Sequence, residues 1–277
     1  MIFHFGKYLM ILDMQTLVLV TGVINIIQFF VFYLQYRIIK NYAGIGWWVL
    51  WSVAEVVGFG FILLRHIPGI FEIVVIIQNS AIIGGCIFIY NGVVAFLGKK
   101  VNTKLSLGLY ALFIIPFLYF LFIVNDLNAR GIVINLSVVS ISLLISFEMF
   151  KTKLNSVKLI LHVLAYSFII HSVVLLDRSW LMFNTPKTID FLLSDPINLI
   201  PIIDSIIIGL IWTFGFVLLI SNRLNYDIRV SNNHLQLLFE SSPVAVLLID
   251  RETDTINDCN SAFNTLSGFS REEAIGT

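Results

Sequence analysis

Seven stretches of about twenty apolar residues, broken only by short polar connections, set the first constraint on this chain. They cover 16–36, 44–64, 70–97, 105–124, 130–150, 159–183 and 199–221. A helix needs about 20 apolar residues to cross the hydrocarbon layer of a bilayer, so each run is a candidate span. Composition agrees: 58% of the 277 residues are hydrophobic and only 12% are Asp, Glu, Lys or Arg, against about 25% charged in a soluble domain. Mean hydropathy is +0.93. So much apolar surface exceeds what one globular core buries, and lipid has to cover the remainder. The first run is too long for a signal-peptide core and no small-residue cleavage pattern follows it. Formal net charge is zero, which removes the electrostatic case for a nucleic-acid partner. Cys86 lies in an apolar run and Cys259 in the polar tail, so no disulfide framework is expected.

Lys and Arg in the connections predict the orientation. Odd-numbered connections and the segment after the seventh span hold ten: Arg37, Lys40, Lys99, Lys100, Lys104, Lys151, Lys153, Lys158, Arg223 and Arg229. The opposite side holds four: Lys7, Arg65, Arg130 and Lys187. This bias predicts a multi-pass protein of the cell (plasma) membrane, with the N-terminus outside and the C-terminus in the cytoplasm.

Ionisable side chains inside a membrane are costly unless they face the bundle interior, so each is a candidate site residue. The alternation of spans puts Glu72, Asp177, Arg178 and Asp204 in the outer third, Glu55 and His171 near the middle, and Gln78 with Asn79 in the outer half of the third span. His171 and Arg178, seven apart, share a helix face. The expected arrangement pairs Arg178 with Asp204 and lets Glu55 and His171 line the same cavity. Glu55, Glu72, Gln78, His171, Asp177, Arg178 and Asp204 are the candidate ligand-binding residues for a small polar or ionic ligand. The competing reading is an interhelical ion pair that only fixes register.

Asn25, Gln28, Asn91 and His162 read as helix-to-helix hydrogen bonds, and Gly58, Gly60, Gly84 and Gly85 as points of close helix approach. Trp47, Trp48 and Trp51 read as an interfacial belt. Pro116 is expected to kink or cap its helix, and Pro201 to sit in the first turn of the seventh.

Past the seventh span, Leu224, Ile228, Ser231, Leu235 and Leu238 recur at spacings of four and three. Two heptads of this kind fit an amphipathic continuation of the helix or a dimeric signalling helix. Pro243 ends it. Residues 244–249 then read as a buried strand, 250–254 as a turn, and 255–259 as the returning strand. Asn260 is placed to cap the helix 261–266, Gly268 to close it, and Ser270 with Glu273 to form a capping box.

This order, with Phe239-Glu-Ser-Ser-Pro243, Asn260-Ser-Ala-Phe263 and Gly268-Phe-Ser-Arg-Glu-Glu-Ala-Ile-Gly276, resembles the opening of a PAS domain over about 45 residues. The resemblance implies an α/β sensor fold with a five-stranded antiparallel sheet, of which 243–277 holds only the first part. It names no cofactor, which stays unknown. With this tail attached, 1–221 resembles the seven-transmembrane N-terminal sensor region of bacterial and archaeal histidine kinases and diguanylate cyclases. That likeness rests on helix count, orientation, Glu55, Asp177-Arg178 and Pro201-Ile-Ile-Asp204. The expected architecture is an all-α seven-helix membrane sensor domain (1–221), a linker or signalling helix (222–242) and an incomplete α/β PAS domain (243–277).

The function this implies is a membrane signal receptor, the sensor portion of a two-component histidine kinase or related signalling protein. Its expected partners are lipid, a small ligand and a second copy of the chain through the helix after residue 221. The alternative is a small-molecule transporter using Glu55, Arg178 and Asp204, although no repeat relates the first three spans to the last three. A retinal protein is excluded because 199–221 has no lysine for a Schiff base. No catalytic domain is evident: His234 is followed by Leu235 and Gln236 where a phospho-acceptor motif has an acidic residue, and no glycine-rich ATP loop, GGDEF string or H-E-x-x-H motif occurs.

Overall fold

The structure is a computed structural model that describes residues 14–185 and 196–277; Lys7 and Lys187 of the orientation count lie outside them. Hydrocarbon offers the backbone no water to bond, so each span satisfies its peptide groups internally as a helix. The helices are α1 (Met14–Ile38), α2 (Ile45–Ile62), α3 (Phe71–Phe96), α4 (Thr103–Leu118), α5 (Leu127–Phe150), α6 (Lys158–Asn184) and α7 (Pro196–Ser241). A 3₁₀ turn at Leu63–His66 extends α2, and another at Asn155–Val157 leads into α6. Among the described residues, seven helices are long and apolar enough to cross a membrane. With the small C-terminal sheet, the chain is an all-α membrane-type protein carrying part of a PAS fold. It forms two compact units, one ending at Leu219 and one beginning at Ile220.

In the first unit, polar and small residues face inward while many apolar ones face out, as a lipid-facing bundle requires. Thr21, Asn25 and Gln28 make a buried stripe on α1, and Asn128, Gly131, Asn135, Ser142 and Ser146 make one on α5. Leu107, Leu112 and Ile115 of α4 and Leu159 of α6 are each two-thirds or more exposed. Met14, Leu17 and Val18 of α1 pack with Phe59 and Ile62 of α2 and Ile202 of α7.

Trp48 and Trp51 are buried rather than interfacial, at 0% and 2% exposure. Trp48 stacks on Phe216 of α7 at 4.3 Å, and Trp51 packs edge-on to the same ring at 6.1 Å. The belt expected at this position is an aromatic core joining α2 to α7; only Trp47 is half-buried, against Phe88. Gly92 makes room for it, since a Cβ there would fall onto the Trp48 indole. Gly58 likewise meets Ile82 closely, whereas Gly60 and Gly84 have open space and are not contact points.

The prolines act in different ways. After Pro116 the α4 helix widens into a π turn at Tyr119–Ile123, where Val124 N–H reaches back five residues to the Tyr119 carbonyl. Pro201 sits well inside α7, because that helix begins at Pro196 rather than near 199. A proline at 201 cannot donate to the carbonyl four residues earlier, that of Ile197.

In the second unit, β1 (Leu247–Ile249) and β2 (Ile256–Cys259) form an antiparallel hairpin, followed by α8 (Ser261–Ser267) and α9 (Arg271–Ala274). The Asp250 carboxylate accepts the Glu252 and Thr253 N–H groups and shapes the turn. β1 is shorter than expected and exposed, not buried, since two strands alone leave both faces open. Asn260, fully buried, ties the unit together. Its Oδ1 accepts from Phe263 N–H at 3.0 Å and Val246 N–H at 2.9 Å, and its Nδ2 donates to the Val244 carbonyl at 2.9 Å and the Phe239 carbonyl at 3.1 Å. Gly268 closes α8 at φ 81°, in the left-handed region. Arg271 bonds Asp258 at 2.8 Å and Glu240 at 3.4 Å.

Ser270 and Glu273 form the capping box, and hydrogen bonds from the Ser270 N–H and hydroxyl hold the Glu273 carboxyl below its ordinary range. A depressed carboxyl favours the folded form above the ordinary carboxylate range, and that contribution fades as pH falls through the folded value. Ser270→Ala removes the hydroxyl but keeps the Ser270 backbone N–H, so it is expected to raise the Glu273 titration midpoint part of the way toward the ordinary value, as read by carboxyl NMR against pH; an unmoved midpoint would show that the hydroxyl contributes nothing.

Candidate ligand cavity

The alternation of the spans brings the ends of α2 and α6 beside the starts of α3, α5 and α7, and a cavity of about 190 Å³ opens in the bundle there. This is smaller than the roughly 300–1,000 Å³ of sites for drug-sized ligands. Its polar lining comes from six helices and one 3₁₀ turn. Asn25 and Gln28 belong to α1, Glu55 to α2, Arg65 to the 3₁₀ turn, Gln78 and Asn79 to α3, Arg130 and Asn135 to α5, His171 and Arg178 to α6, and Asn198, Asp204 and Ser205 to α7. Phe59, Ile62, Val75, Ile134, Val138 and Leu175 are among its apolar walls.

Five of the seven residues singled out from sequence line this one cavity: Glu55, Gln78, His171, Arg178 and Asp204. Glu72 and Asp177 are exposed and lie outside its lining. Glu72 instead faces a shallow depression with Phe71, Leu121 and Asn125.

The internal pairing differs from the expected one. Asp204 Oδ2 lies 2.6 Å from His171 Nδ1, so the carboxylate is engaged by the imidazole rather than by Arg178. The His171 ring is set edge-on to Trp212 at 5.2 Å, and Trp212 is stacked on Phe168 at 3.9 Å and donates its indole N–H to Ser167 Oγ at 3.0 Å. Arg178, 4% exposed, donates from Nη1 to Asn135 Oδ1 at 2.7 Å and from Nε to the Ile197 carbonyl at 3.1 Å. Ile197 is the acceptor that Pro201 cannot reach, so a guanidinium on α6 takes up a backbone position released by a proline on α7. Asn135 in turn donates to Ser179 Oγ at 3.0 Å. The carboxylate and the guanidinium are thus held in separate networks.

Arg65 and Arg130, which entered the sequence reasoning only as topology markers, both line the cavity. Arg65 Nε donates to Gln78 Oε1 at 2.7 Å. Arg130 is 6% exposed and its Nε has no hydrogen-bond partner. The signal for Arg130 is its spacing of three from Leu127 and four to Ile134, which puts it on the α5 face that lines the cavity. Gln28 accepts from Thr213 Oγ1 at 2.9 Å, as a helix-to-helix bond should, but its Nε2 and the Asn25 Nδ2 are buried without an acceptor. Asn91 does accept from Ser106 Oγ across helices, at 2.9 Å. His162 makes no such bond through Nε2 and packs its ring on Phe150.

The two networks yield a discriminating test by double-mutant cycles. His171→Ala and Asp204→Asn should couple by about 0.5–3 kcal/mol in thermal unfolding in micelles, as should Arg178→Ala with Asn135→Ala. Arg178→Ala combined with Asp204→Asn should be close to additive. Strong coupling in that last pair would restore the ion pair that sequence alone suggests.

Comparison with known proteins concerns the second unit. No curated protein and no solved structure gives a significant match to the chain. The family model described as PAS domain matches residues 233–277, the stretch that holds the end of α7, the hairpin, α8 and α9.

Proposed function

We propose that the chain is the receptor portion of a membrane signalling protein, in which the bundle cavity binds a small polar or ionic ligand and α7 passes the change to the PAS segment. The observation that carries this reading is the continuity of α7. One helix supplies Asn198, Asp204 and Trp212 to the cavity and runs on to Ser241, inside the segment matched by the PAS model. A helix shared by a ligand cavity and a sensor fold is a mechanical link that a transporter does not need. The output module in this reading is a histidine kinase or diguanylate cyclase. The transporter reading draws on the same cavity, where acidic Glu55 and Asp204 and basic Arg178 line one space, but gives the PAS segment no role.

Signalling through α7 calls for a second copy of the chain beside it. Ile228, Leu235 and Leu238 at heptad spacing are about half exposed or more, with Leu224 half-buried. Tyr226, Val230 and Leu237 off the seam are exposed as well, so exposure alone does not choose a face and the heptad register does.

Two measurements test the proposal. Topology reporters fused after Lys158 and after Arg223 should both report cytoplasm, following the Lys and Arg bias; opposite results would reject the orientation. Single cysteines at Leu224, Ile228 and Leu235, in a background lacking Cys86 and Cys259, should cross-link between copies far faster than cysteines at Tyr226 or Val230. Equal rates around the helix would leave an amphipathic helix without a dimer seam.

A further inference from the structure

We propose that the bundle cavity recognises a small organic anion, through a carboxylate seated among Arg65, Arg130 and Arg178 and a short apolar body held against the cavity walls. This names the ligand class of the receptor reading above and rests on it for its biological meaning, while the recognition chemistry stands on the cavity alone.

The first argument is what the cavity leaves unsatisfied. Among the described residues lining it, three buried side-chain atoms have no hydrogen-bond partner: Asn25 Nδ2, Gln28 Nε2 and Arg130 Nε. All three are donors. The two carboxylates in the lining are each engaged by a wall donor, Asp204 Oδ2 by His171 and Glu55 Oε1 by the Trp51 indole N–H at 3.2 Å. A buried donor without an acceptor is destabilising, so the walls are suited to a ligand that brings acceptors.

The second argument is position. Arg65 lies at the end of α2, Arg130 in the first turn of α5 and Arg178 in the last two turns of α6, so the guanidinium groups gather at one end of the bundle. Glu55, Asp204 and His171 lie deeper along their helices. Three guanidinium groups face two carboxylates in the lining; a further acid, Asp126, is one turn before Arg130 and accepts the Ala129 N–H as the N-cap of α5. Arg offers a planar fork that matches a carboxylate, whereas a cationic ligand would meet the basic end unfavourably. Third, Phe59, Ile62, Val75, Ile134 and Leu175 give the rest of the cavity an apolar surface, which suits a hydrocarbon tail and not a compact inorganic oxyanion.

The test uses the full chain in lipid nanodiscs, with thermal melting and calorimetric titration against millimolar butyrate, butyramide, butylamine and inorganic phosphate. Butyrate should raise the melting temperature, and the rise should keep growing with the logarithm of its concentration above Kd, while butyramide, butylamine and phosphate should leave it unmoved. Arg130→Gln should weaken butyrate binding about tenfold or more, with Arg130→Lys intermediate. Should Arg130→Gln fail to fold, Arg130→Lys and the contrast of acid with amide in the native chain decide. Silence of all four probes overturns the proposal, as do an equal response to butyramide, a stronger one to butylamine or phosphate, or butyrate affinity unchanged in the arginine variants. Butyrate binding that leaves cysteine cross-linking of α7 unchanged would support anion recognition and reject the receptor mechanism. Cross-linking that responds to another cue while carboxylates fail to bind would do the reverse.

Discussion

Every polar group in this bundle is governed by the absence of water to bond with. Helices solve the problem for the backbone, and Pro201 reopens it at one peptide by withholding the donor that Ile197 would otherwise receive. Arg178 reaches that carbonyl from the neighbouring helix and spends a second donor on Asn135. A guanidinium is costly to bury alone, and a proline in a helix interior leaves an acceptor exposed; each defect answers the other. The seat of α7 against α6, and with it one wall of the cavity, depends on this exchange.

Seen this way, the separation of Arg178 from Asp204 has a clear cause. The arginine is committed to neutral acceptors near the helix ends, so the carboxylate is left to His171, which the ring of Trp212 orients. An ion pair between the two would have neutralised the basic end of the cavity. Its absence keeps opposite charges apart within one small space, which is the arrangement a ligand with a charged group can use. The aromatic core of Trp48, Trp51 and Phe216 joins the first half of α2 to the stretch of α7 past Trp212, and Trp51 ties it to the cavity through its indole N–H on Glu55.

How much of this was legible in the sequence follows from the physics of each feature. Span number was legible because length and hydropathy are local properties that the bilayer imposes directly. The gathering of Glu55, Gln78, His171, Arg178 and Asp204 was legible because polar and charged groups well inside a span are costly against hydrocarbon and favour the bundle interior. Partner choice was not, since it depends on which helices are neighbours and on Pro201 falling six residues into α7 rather than three. The tryptophans misled for a related reason: a tryptophan at a span terminus reads as interfacial unless the glycine opposite is known, and Gly92 is 44 residues away from Trp48 in the chain. Glu72 and Asp177 share their helices with lining residues but not their faces. In the second unit the caps at Asn260, Gly268 and Ser270 were readable because they act over three or four residues, while the exposure of β1 depends on what covers it.

The lipid-facing character of α4 carries a consequence for how the bundle holds together. Phe113 and Phe117 are its buried residues, along with Leu121 in the π turn that follows. Acyl chains replace such apolar contact at little loss, because they are as oily as the side chains they displace. What lipid cannot replace is the pair of directional bonds that α4 makes to α3, from Ser106 to Asn91 and from Tyr110 to Ser80. The anchorage of α4 is therefore a matter of two hydroxyl groups, and a change of solvent that competes for hydrogen bonds loosens this helix where a change of acyl chain does not.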